Sequence, residues 1–342
     1  MRKLLNTLYI TNEKSYLSLD GENIVVRLED DEKFRLPLVN IENIVCFNYM
    51  GVSPAFMGKC AEEDIGLYFM TPTGKFLASI VGRTKGSVYT RMMQYRCAQD
   101  ADFCLDFAKN IVSAKLYNTR KNLQRSIRDC NDADCTDLEK CSEYFAEIID
   151  RTYDFNDEDE LRGFEGNAAR AYFEVFSDMI ISQKQDFYLY GRTKRPPEDN
   201  VNCMLSYLYI ILSFEIRSAL ETVGLDPYVG FMHKLRAGRA SLALDMVEEL
   251  RAYMVDRLVI SMINLKEVTA KDFVEKEGGG VLMTDDCRKK LLTRWQDRKK
   301  EIITHPIIHE KIEIGLIPYV QAQLLNRFLR EDVQEYSPFL WR

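Results

Sequence analysis

The spacing of the apolar residues changes once along this chain, and that change limits the folds the chain can adopt. Up to Val81, apolar and polar residues alternate with a period near two, which is typical of short β-strands. After Gly82 and Gly86 the period becomes about 3.6 and stays there to the C-terminus, which predicts helices. We therefore expect an α+β protein with a small β-rich domain over residues 1–85 and a larger all-α domain over residues 86–342.

Turn and capping signals divide the first domain into short elements. Asp20–Gly21 predicts a hairpin turn, and Pro72–Gly74 predicts a second turn. Ser53 followed by Pro54 predicts the N-cap of a short helix that continues through Glu63. The segments predicted as strands are Leu4–Tyr9, Tyr16–Asp20, Ile24–Leu28, Phe34–Leu36, Ile41–Phe47, Ile65–Phe69 and Phe76–Val81.

Three helices are prominent in the second domain. The first is predicted from Val88 to about Ile127, and the most apolar one covers Asn200–Ala219. Gly224 predicts the end of the segment that follows the apolar helix. Ser241 predicts the N-cap of a helix over Leu242–Val255.

Acidic residues are concentrated between these helices, in residues 129–160. Thirteen Asp and Glu face two basic residues there, a net charge of −11. Because apolar periodicity is weak apart from Tyr144–Ile149, we expect an exposed connector. The whole chain carries −7, so the remaining residues carry +4, and a nucleic-acid partner is not excluded.

Several classes of protein find no support in the sequence. No apolar run reaches the roughly 18 residues of a membrane span, and the first ten residues lack the apolar core of a signal peptide. The nine cysteines include no CxxC pair, so we expect neither disulfides nor a zinc knuckle. There is no P-loop, GxGxxG, HExxH or GxSxG motif. We expect a cytoplasmic protein that does not bind a membrane.

A lone carboxylate, Glu165, is predicted to open a helix and to lie on its inward face. The small and apolar residues that follow it at helical spacing are Ala168, Ala169, Tyr172, Phe173 and Phe176. A buried carboxylate is costly unless it is paired or ligates a metal. Two interpretations stay open here, a metal ligand or an ion pair with Arg162 or Arg170.

A second cluster lies between Gly230 and Glu249. His233 stands in a glycine-flanked basic turn, and on the next helix Asp245 shares a face with Glu248 or Glu249. One imidazole with two or three carboxylates suits Mg²⁺ or Mn²⁺ and suits zinc poorly. Basic neighbours would attract phosphate, which points to phosphodiester chemistry.

Basic side chains that DNA could contact occur in three places: near Arg170, in the turn from Lys234 to Arg239, and in residues 288–300. Residues 288–300 carry seven positive charges and one negative charge, so this segment is either a solvated helix face or a phosphate-binding strip. The candidate DNA-binding residues are Arg170, Tyr172, Lys234, Arg236, Arg239, Arg288, Lys289 and Arg298.

Three segments carry a family resemblance. RGFEGNAARAYF, RPPEDNVNCMLSYLY and GFMHKLRAGRASLALDMVEELR resemble the three motif regions of Cas1, the CRISPR-associated endonuclease and integrase family. The opening MRKLLNTLYITNEKSYLSLDGENIVV, together with IVCFNYMGVSPAFMGKC, resembles the subtype I-C branch in particular. The similarity covers essentially the full chain.

The resemblance implies a function and a set of site residues. By motif position Glu165, His233 and Glu248 would be the catalytic metal ligands for Mg²⁺ or Mn²⁺. Many relatives have Asp at the third position. Asp245 matches a further acidic position and would ligate or orient a ligand.

The resemblance also implies partners and a reaction. Family members form homodimers, to which the first domain would contribute, and they assemble with the small protein Cas2. They insert short DNA fragments as new spacers into a CRISPR array, by attack of a fragment's 3′-OH on repeat DNA. Two other functions stay open, a plain metal-dependent nuclease and a non-catalytic DNA-binding scaffold.

Overall fold

The computed structural model describes residues 6–29, 31–47, 50–71, 76–80, 82, 86–129, 134–193 and 196–341. The chain forms two compact units. The first comprises Met1–Lys85, Leu291–Glu301 and Glu313–Gly315, and the second comprises Gly86–Lys290, Ile302–Ile312 and Leu316–Arg342. The sequence placed everything after residue 85 in the helical domain, whereas the two later segments of the first unit pack with the strands.

The strands of the first unit form two sheets. In the four-stranded sheet, with the order β1-β5-β6-β7, β5 is parallel to β1 and β6, and β7 is antiparallel to β6. The other sheet is an antiparallel meander, β2-β3-β4. The strands are β1 Asn6–Ile10, β2 Ser15–Asp20, β3 Asn23–Leu28, β4 Asp31–Pro37, β5 Ile41–Cys46, β6 Gly66–Met70 and β7 Phe76–Ile80.

Local signals in this unit act as the sequence predicts. Gly21 has φ 57° in the β2–β3 turn, a left-handed conformation that glycine adopts without strain. Helix α1, Pro54–Glu62, begins after Ser53, whose hydroxyl accepts a hydrogen bond from the backbone N–H of Phe56 at 3.2 Å. The turn predicted at Pro72–Gly74 lies outside the described residues.

Helices dominate the second unit, and α9 begins there and continues from Leu291 in the first. Two short strand pairs, the first of them antiparallel, also occur after residue 270, so the C-terminal region is mainly but not entirely helical. The pairs are β8 Phe273–Glu275 with β9 Val281–Met283 and β10 Ile302–Thr304 with β11 Lys311–Glu313. The helices are α2 Val88–Cys97, α3 Ala101–Asp129, α4 Thr136–Ile148, α5 Glu158–Glu174, α6 Asn200–Val223, α7 Ser241–Arg251, α8 Arg257–Asn264, α9 Asp285–Lys300 and α10 Ile317–Leu329.

The predicted long helix from Val88 is in fact two helices. The chain turns between α2 and α3, where the carboxylate of Asp100 accepts hydrogen bonds from the backbone N–H groups of Asp102 and Phe103 at 3.0 and 3.1 Å. An aspartate in that position satisfies amides that a new helix leaves unpaired, so it starts α3. Apolar periodicity alone does not reveal this break.

Residues 134–160, the described part of the acidic segment after Asp129, do not form an exposed connector. Residues 136–148 form α4, which buries Leu138, Cys141, Phe145 and Ile148 and packs against α3. Its carboxylates lie on the solvent face, so the helix is amphipathic. The prediction of a connector was wrong because it relied on the net charge of the segment and not on its apolar face.

Helix α6 is the apolar centre of the second unit and packs against α7 and α10. It continues past the predicted end at Ala219 through the segment that follows, and it stops at Gly224, which has φ 85° and was predicted to end that segment. By length and composition α6 could cross a membrane, but 61% of its most apolar window is buried inside the structure. A core helix of a folded domain has this property.

The helix predicted over Leu242–Val255 differs from the observed one at both ends. It begins at Ser241, whose hydroxyl donates to the carbonyl of Lys234 at 3.4 Å and does not cap the helix. After α7 the chain continues as a π-helical turn, Ala252–Asp256, directly into α8.

Candidate active site

Two carboxylates from different helices converge on one ammonium group. Lys115 of α3 forms ion pairs with Glu165 of α5 and, at 2.5 Å, with Glu248 of α7. The Lys115 side chain is 8% exposed, and those of Glu165 and Glu248 are 17% and 15% exposed. The three charges therefore meet in a largely desolvated place, where each interacts more strongly than it would in water.

Glu165 reaches this place because of where α5 begins. The helix begins at Glu158, after Asp157, whose carboxylate accepts from the N–H groups of Asp159 and Glu160. Glu165 thus lies two turns inside the helix and does not open it as predicted. The ion-pair interpretation named Arg162 or Arg170, but the partner is Lys115.

Glu248 has a second cation beside it. Arg251, one turn later on α7, lies 3.2 Å from the Glu248 carboxylate. Burial alone would raise the pKa of Glu248, but the charges of Lys115 and Arg251 outweigh burial and hold that pKa below its ordinary value. Glu248 is therefore ionised at neutral pH.

Asp245 holds the His233 loop in place. Its two oxygens accept from the backbone N–H groups of Phe231, Met232 and His233 at 2.8, 3.1 and 2.9 Å. One of them, Oδ1, is also 2.7 Å from Nδ1 of His233. An ionised carboxylate only accepts, so Nδ1 carries the proton and Nε2 is the ring atom left for another contact.

Gly230 makes this arrangement possible. A Cβ at residue 230 would stand 2.5 Å from Oδ2 of Asp245 and 2.7 Å from the backbone nitrogen of Leu242. No side chain fits there without moving backbone, so the loop can approach α7 closely only at a glycine.

Oxygen donors that converge on one cation fit a hard divalent ion such as Mg²⁺ or Mn²⁺. The fit is incomplete, because among the described residues no three His, Cys, Asp or Glu side chains gather closely enough to hold an ion. The structure brings Glu165 and Glu248 together around Lys115 and places His233 nearby. Asp245 faces the histidine loop instead of the carboxylate pair.

The candidate DNA-binding residues do not share one surface property. Tyr172 is buried, and its hydroxyl donates to Asp256 at 3.2 Å and accepts from Asn122 at 2.8 Å. Arg298 is also buried and pairs with Glu301 at 2.9 Å. Neither side chain lies where a phosphate could reach it, so both leave the set of candidates.

The remaining basic residues other than Arg288 are more accessible. Arg288 is mostly covered, donates to the carbonyl of Met283 and pairs with Asp285. The side chain of Lys234 is 59% exposed and lies 3.3 Å from Asp159. The other exposed candidates are Arg170, Arg236 and Lys289, and Arg239 is half-buried.

Sequence reasoning missed Lys115, although a signal for it exists. Along α3, Ile111, Leu116 and Leu123 form a buried stripe, and Lys115, Asn118 and Asn122 interrupt that stripe at helical spacing. A lysine inside an apolar stripe needs a buried anion. Nothing local identifies the anions, which come from residues 50 and 133 positions away.

Residues 8–297 match the family model described as CRISPR associated protein Cas1. The chain belongs to the Cas1 family. It is 44% identical over 343 residues to CRISPR-associated endonuclease Cas1 1 of Chlorobaculum tepidum, and the match covers all of both chains. The family prediction is confirmed, and so is the prediction of a nuclease, because the similarity to an endonuclease extends over the full length.

Two solved structures have the same fold. A casposase bound to its integration product has a TM-score of 0.83 and 19% identity, covering 99% of this chain and 95% of that one. A Cas6-RT-Cas1 protein in complex with Cas2 has a TM-score of 0.82 and 20% identity, covering 98% of this chain and 36% of that one. The predicted fold, β strands followed by a helical region, is the Cas1 fold.

Proposed function

We propose that this Cas1 protein is the endonuclease and integrase that inserts short DNA fragments as new spacers into a CRISPR array. One observation carries the site assignment, which is that two desolvated carboxylates from separate helices converge on a single cation. Such a pair is stable only around positive charge. A relative named an endonuclease over the full length and a related fold bound to an integration product support the reaction class.

Endonucleases of the Cas1 family are in general metal-dependent. We infer that Glu165 and Glu248 would hold Mg²⁺ or Mn²⁺ through oxygen atoms, with Nε2 of His233 as a third donor. An ion held by these residues would supply charge neutralisation at the attacked phosphate and would favour ionisation of the attacking hydroxyl group.

The surrounding residues prepare these donors. Lys115 and Arg251 keep Glu248 ionised at neutral pH. Asp245 keeps the proton on Nδ1 of His233, so the lone pair of the neutral ring is on Nε2. The backbone amides held by the same carboxylate prevent the loop from turning that ring away.

DNA would reach the site along the basic turn beside His233. Lys234 and Arg236 are exposed there, and Arg170 is exposed on α5, the helix that carries Glu165. Contacts to phosphate position a duplex without reading its sequence. The substrates are double-stranded spacer precursors and repeat DNA, the 3′-OH of the fragment attacks the repeat, and water in its place gives nuclease activity.

The assembly and its setting are also part of the proposal. We infer a cytoplasmic homodimer that works with Cas2; a Cas6-RT-Cas1 protein of the same fold occurs in a complex with Cas2, which supports the choice of partner. The opening residues resemble the subtype I-C branch, and a subtype I-C gene cluster next to this gene would support that assignment.

The test compares single changes of Glu165, His233 and Glu248 to Ala in the full-length protein. Each is expected to abolish Mn²⁺-dependent cleavage of DNA and joining of a labelled fragment to a plasmid carrying a repeat. The thermal midpoint should change by no more than a few degrees, which shows that folding persists. A wild-type protein that cuts without joining would be a plain nuclease. Wild-type protein that binds DNA but does neither, and that binds no Mn²⁺, would be a scaffold.

A further inference from the structure

Lys115 occupies the point on which the two proposed metal ligands converge. Its ammonium contacts Glu165 and Glu248 simultaneously. These contacts are not a surface feature, since the Lys115 side chain is only 8% exposed. The position of the lysine is therefore imposed by the anions around it and not by solvent.

The carboxylate pair needs this cation whenever no metal is present. Two desolvated carboxylates that face one point repel each other, and one of them would take up a proton or turn away. Arg251 neutralises part of the charge from the Glu248 side, at 3.2 Å. Lys115 alone contacts both partners among the ion pairs described for these two carboxylates.

The ammonium and a divalent ion cannot share that point. Both would sit within a few ångströms of the same oxygens, and two cations at such a separation repel strongly in a desolvated place. The metal can bind both carboxylates only when Lys115 withdraws from at least one of them.

A destination for the withdrawn ammonium is present in the fold. A cavity of about 10 Å³ is lined by Lys115, Tyr172, Arg251 and Asp256, among others. That volume holds one group the size of a water molecule, which is also the size of an ammonium head. The Asp256 side chain on its wall, which already accepts hydrogen bonds from the hydroxyls of Tyr172 and Tyr209, can also accept one from the ammonium, whereas the guanidinium of Arg251 on the same wall opposes the move.

We propose that Lys115 is a positioning residue that holds Glu165 and Glu248 together in the metal-free protein and is displaced when Mg²⁺ or Mn²⁺ enters. The proposal rests on the assignment of these carboxylates as metal ligands. It assigns to one lysine two opposite effects: Lys115 stabilises the metal-free fold and weakens the affinity for metal.

The first test compares Lys115→Met with the wild type and with Lys121→Met, a control on the same helix whose ammonium lies over the Tyr117 ring. Mn²⁺ affinity is measured by isothermal titration, and thermal unfolding is followed without metal and with saturating Mn²⁺. We expect Lys115→Met to unfold at a lower temperature without metal, yet to bind Mn²⁺ about tenfold more tightly, because no ammonium has to be displaced. Lys121→Met should match the wild type in Mn²⁺ affinity.

The outcomes separate this proposal from the proposed function. Equal or weaker Mn²⁺ affinity in Lys115→Met, with clear binding in the wild type, overturns the role of Lys115 and leaves the metal site intact. Absence of Mn²⁺ binding in the wild type overturns both.

A second measurement uses the wild type alone, so it does not depend on the folding of any variant. Lysines are labelled by brief reductive methylation with and without Mn²⁺, and the extent at each lysine is read by mass spectrometry. Lys115 should be protected without metal and become several-fold more reactive with it. Lys140, whose side chain is 69% exposed, should react equally in both samples. Unchanged protection of Lys115 in Mn²⁺-loaded protein would contradict the proposal.

Discussion

Glu248 and Glu249 are neighbours on α7, but cations surround the first carboxylate and neutral hydrogen-bond donors surround the second. Glu248 faces Lys115 and Arg251, two full positive charges, and its pKa is held below the ordinary value. Glu249 is completely buried and meets no cation among its described hydrogen-bond partners. Burial raises the pKa of Glu249 to about 7, and neutral donors only partly offset that effect.

The donors around Glu249 tie down the C-terminal tail. Tyr336 donates its hydroxyl to Glu249 at 2.6 Å, the backbone N–H of Phe339 donates at 2.6 Å, and Gln321 donates at 3.1 Å. Asn118 of α3 adds bonds to the carbonyls of Glu249 and Phe339 at 2.8 and 2.7 Å. We call this cluster, Asn118, Glu249, Gln321, Tyr336 and Phe339, the tail clamp.

The difference shows how one helix separates chemistry from stability. Charges compensated by charges keep Glu248 ionised and ready to take a cation. A carboxylate surrounded by neutral dipoles gives up that property but fixes a chain end. Helix α3 serves both regions in the same way, since Lys115 points to the first and Asn118, one turn later, points to the second.

The largest effect on activity is expected at Glu248, whose carboxylate is paired with cations. Glu248→Gln should remove activity at every Mn²⁺ concentration, because a neutral amide is a poor partner for a cation. Asp245→Asn should leave a residue of activity that excess metal partly restores, since it disturbs His233 and removes no proposed ligand. Cleavage rates across a Mn²⁺ titration measure both. The reverse pattern would place the ligand one turn earlier on α7.

Substitutions in the tail clamp should lower the free energy of unfolding and should leave metal binding unchanged. Phe339 is 1% exposed, so Phe339→Ala should reduce the free energy of unfolding by about 3–5 kcal/mol. Leu340→Ala is the matched control, because Leu340 is 37% exposed and should cost far less. Urea unfolding measures both variants. Equal losses of unfolding free energy in the two variants would mean that the tail is not anchored through Phe339. A change in the Mn²⁺ affinity of folded Phe339→Ala would show that the tail clamp and the carboxylate site are energetically coupled.

A pH effect is expected beside the tail clamp, at His305. This ring is fully buried against Phe339, and burial lowers its pKa to about 4, although Gln321 favours the protonated ring and offsets part of that effect. The unfolded chain has the higher pKa, so it takes up the proton first. Stability should therefore fall as the pH drops from about 6.5 to about 4, by at most about 3 kcal/mol. Urea midpoints of His305→Gln should depend less on pH in this range than those of the wild type.

The exposed His309 provides the control for that measurement. His309→Gln should keep the pH dependence of the wild type. If His309→Gln removes the dependence and His305→Gln does not, the titrating group is the exposed ring.

The smallest effect is expected for exposed basic residues, whose reversal should change only the affinity for DNA. Reversing Lys234 or Arg236 to Glu should weaken DNA binding and reduce the slope of log affinity against log salt, by about one for each phosphate that the protein no longer neutralises. Arg330→Glu, on the exposed end of α10, should leave the slope unchanged. Fluorescence anisotropy with duplex DNA measures this. A slope that falls only on reversal of Lys289 would move the DNA path to α9.

The sequence predicted the features that depend on neighbouring residues. The change of period after residue 81, the cap at Ser53 and the helix end at Gly224 are all local, and the structure contains them. The break before α3 was missed because Asp100 acts through hydrogen bonds that no period reports. The acidic helix α4 was missed because charge was weighed above its apolar face.

The site was predictable only in part, for a similar reason. Glu165, His233 and Glu248 stand in recognisable segments, so the resemblance identified them. Their assignment as ligands stays a prediction. The lysine between the two carboxylates belongs to none of those segments. Tertiary packing of α3, α5 and α7 brings it there. The spacing of residues along the sequence does not predict which helices pack together.

The π-helical turn at Ala252–Asp256 affects how this helix can change in length. In an α-helix each residue advances the chain by about 100°, so losing one residue would rotate everything beyond it out of register. A π turn holds one residue more than the α turn it replaces. Deleting a residue within it would restore an ordinary turn while Glu248 on one side and α8 on the other keep their orientations. A one-residue deletion between the site and the following core helix can therefore be absorbed at this turn.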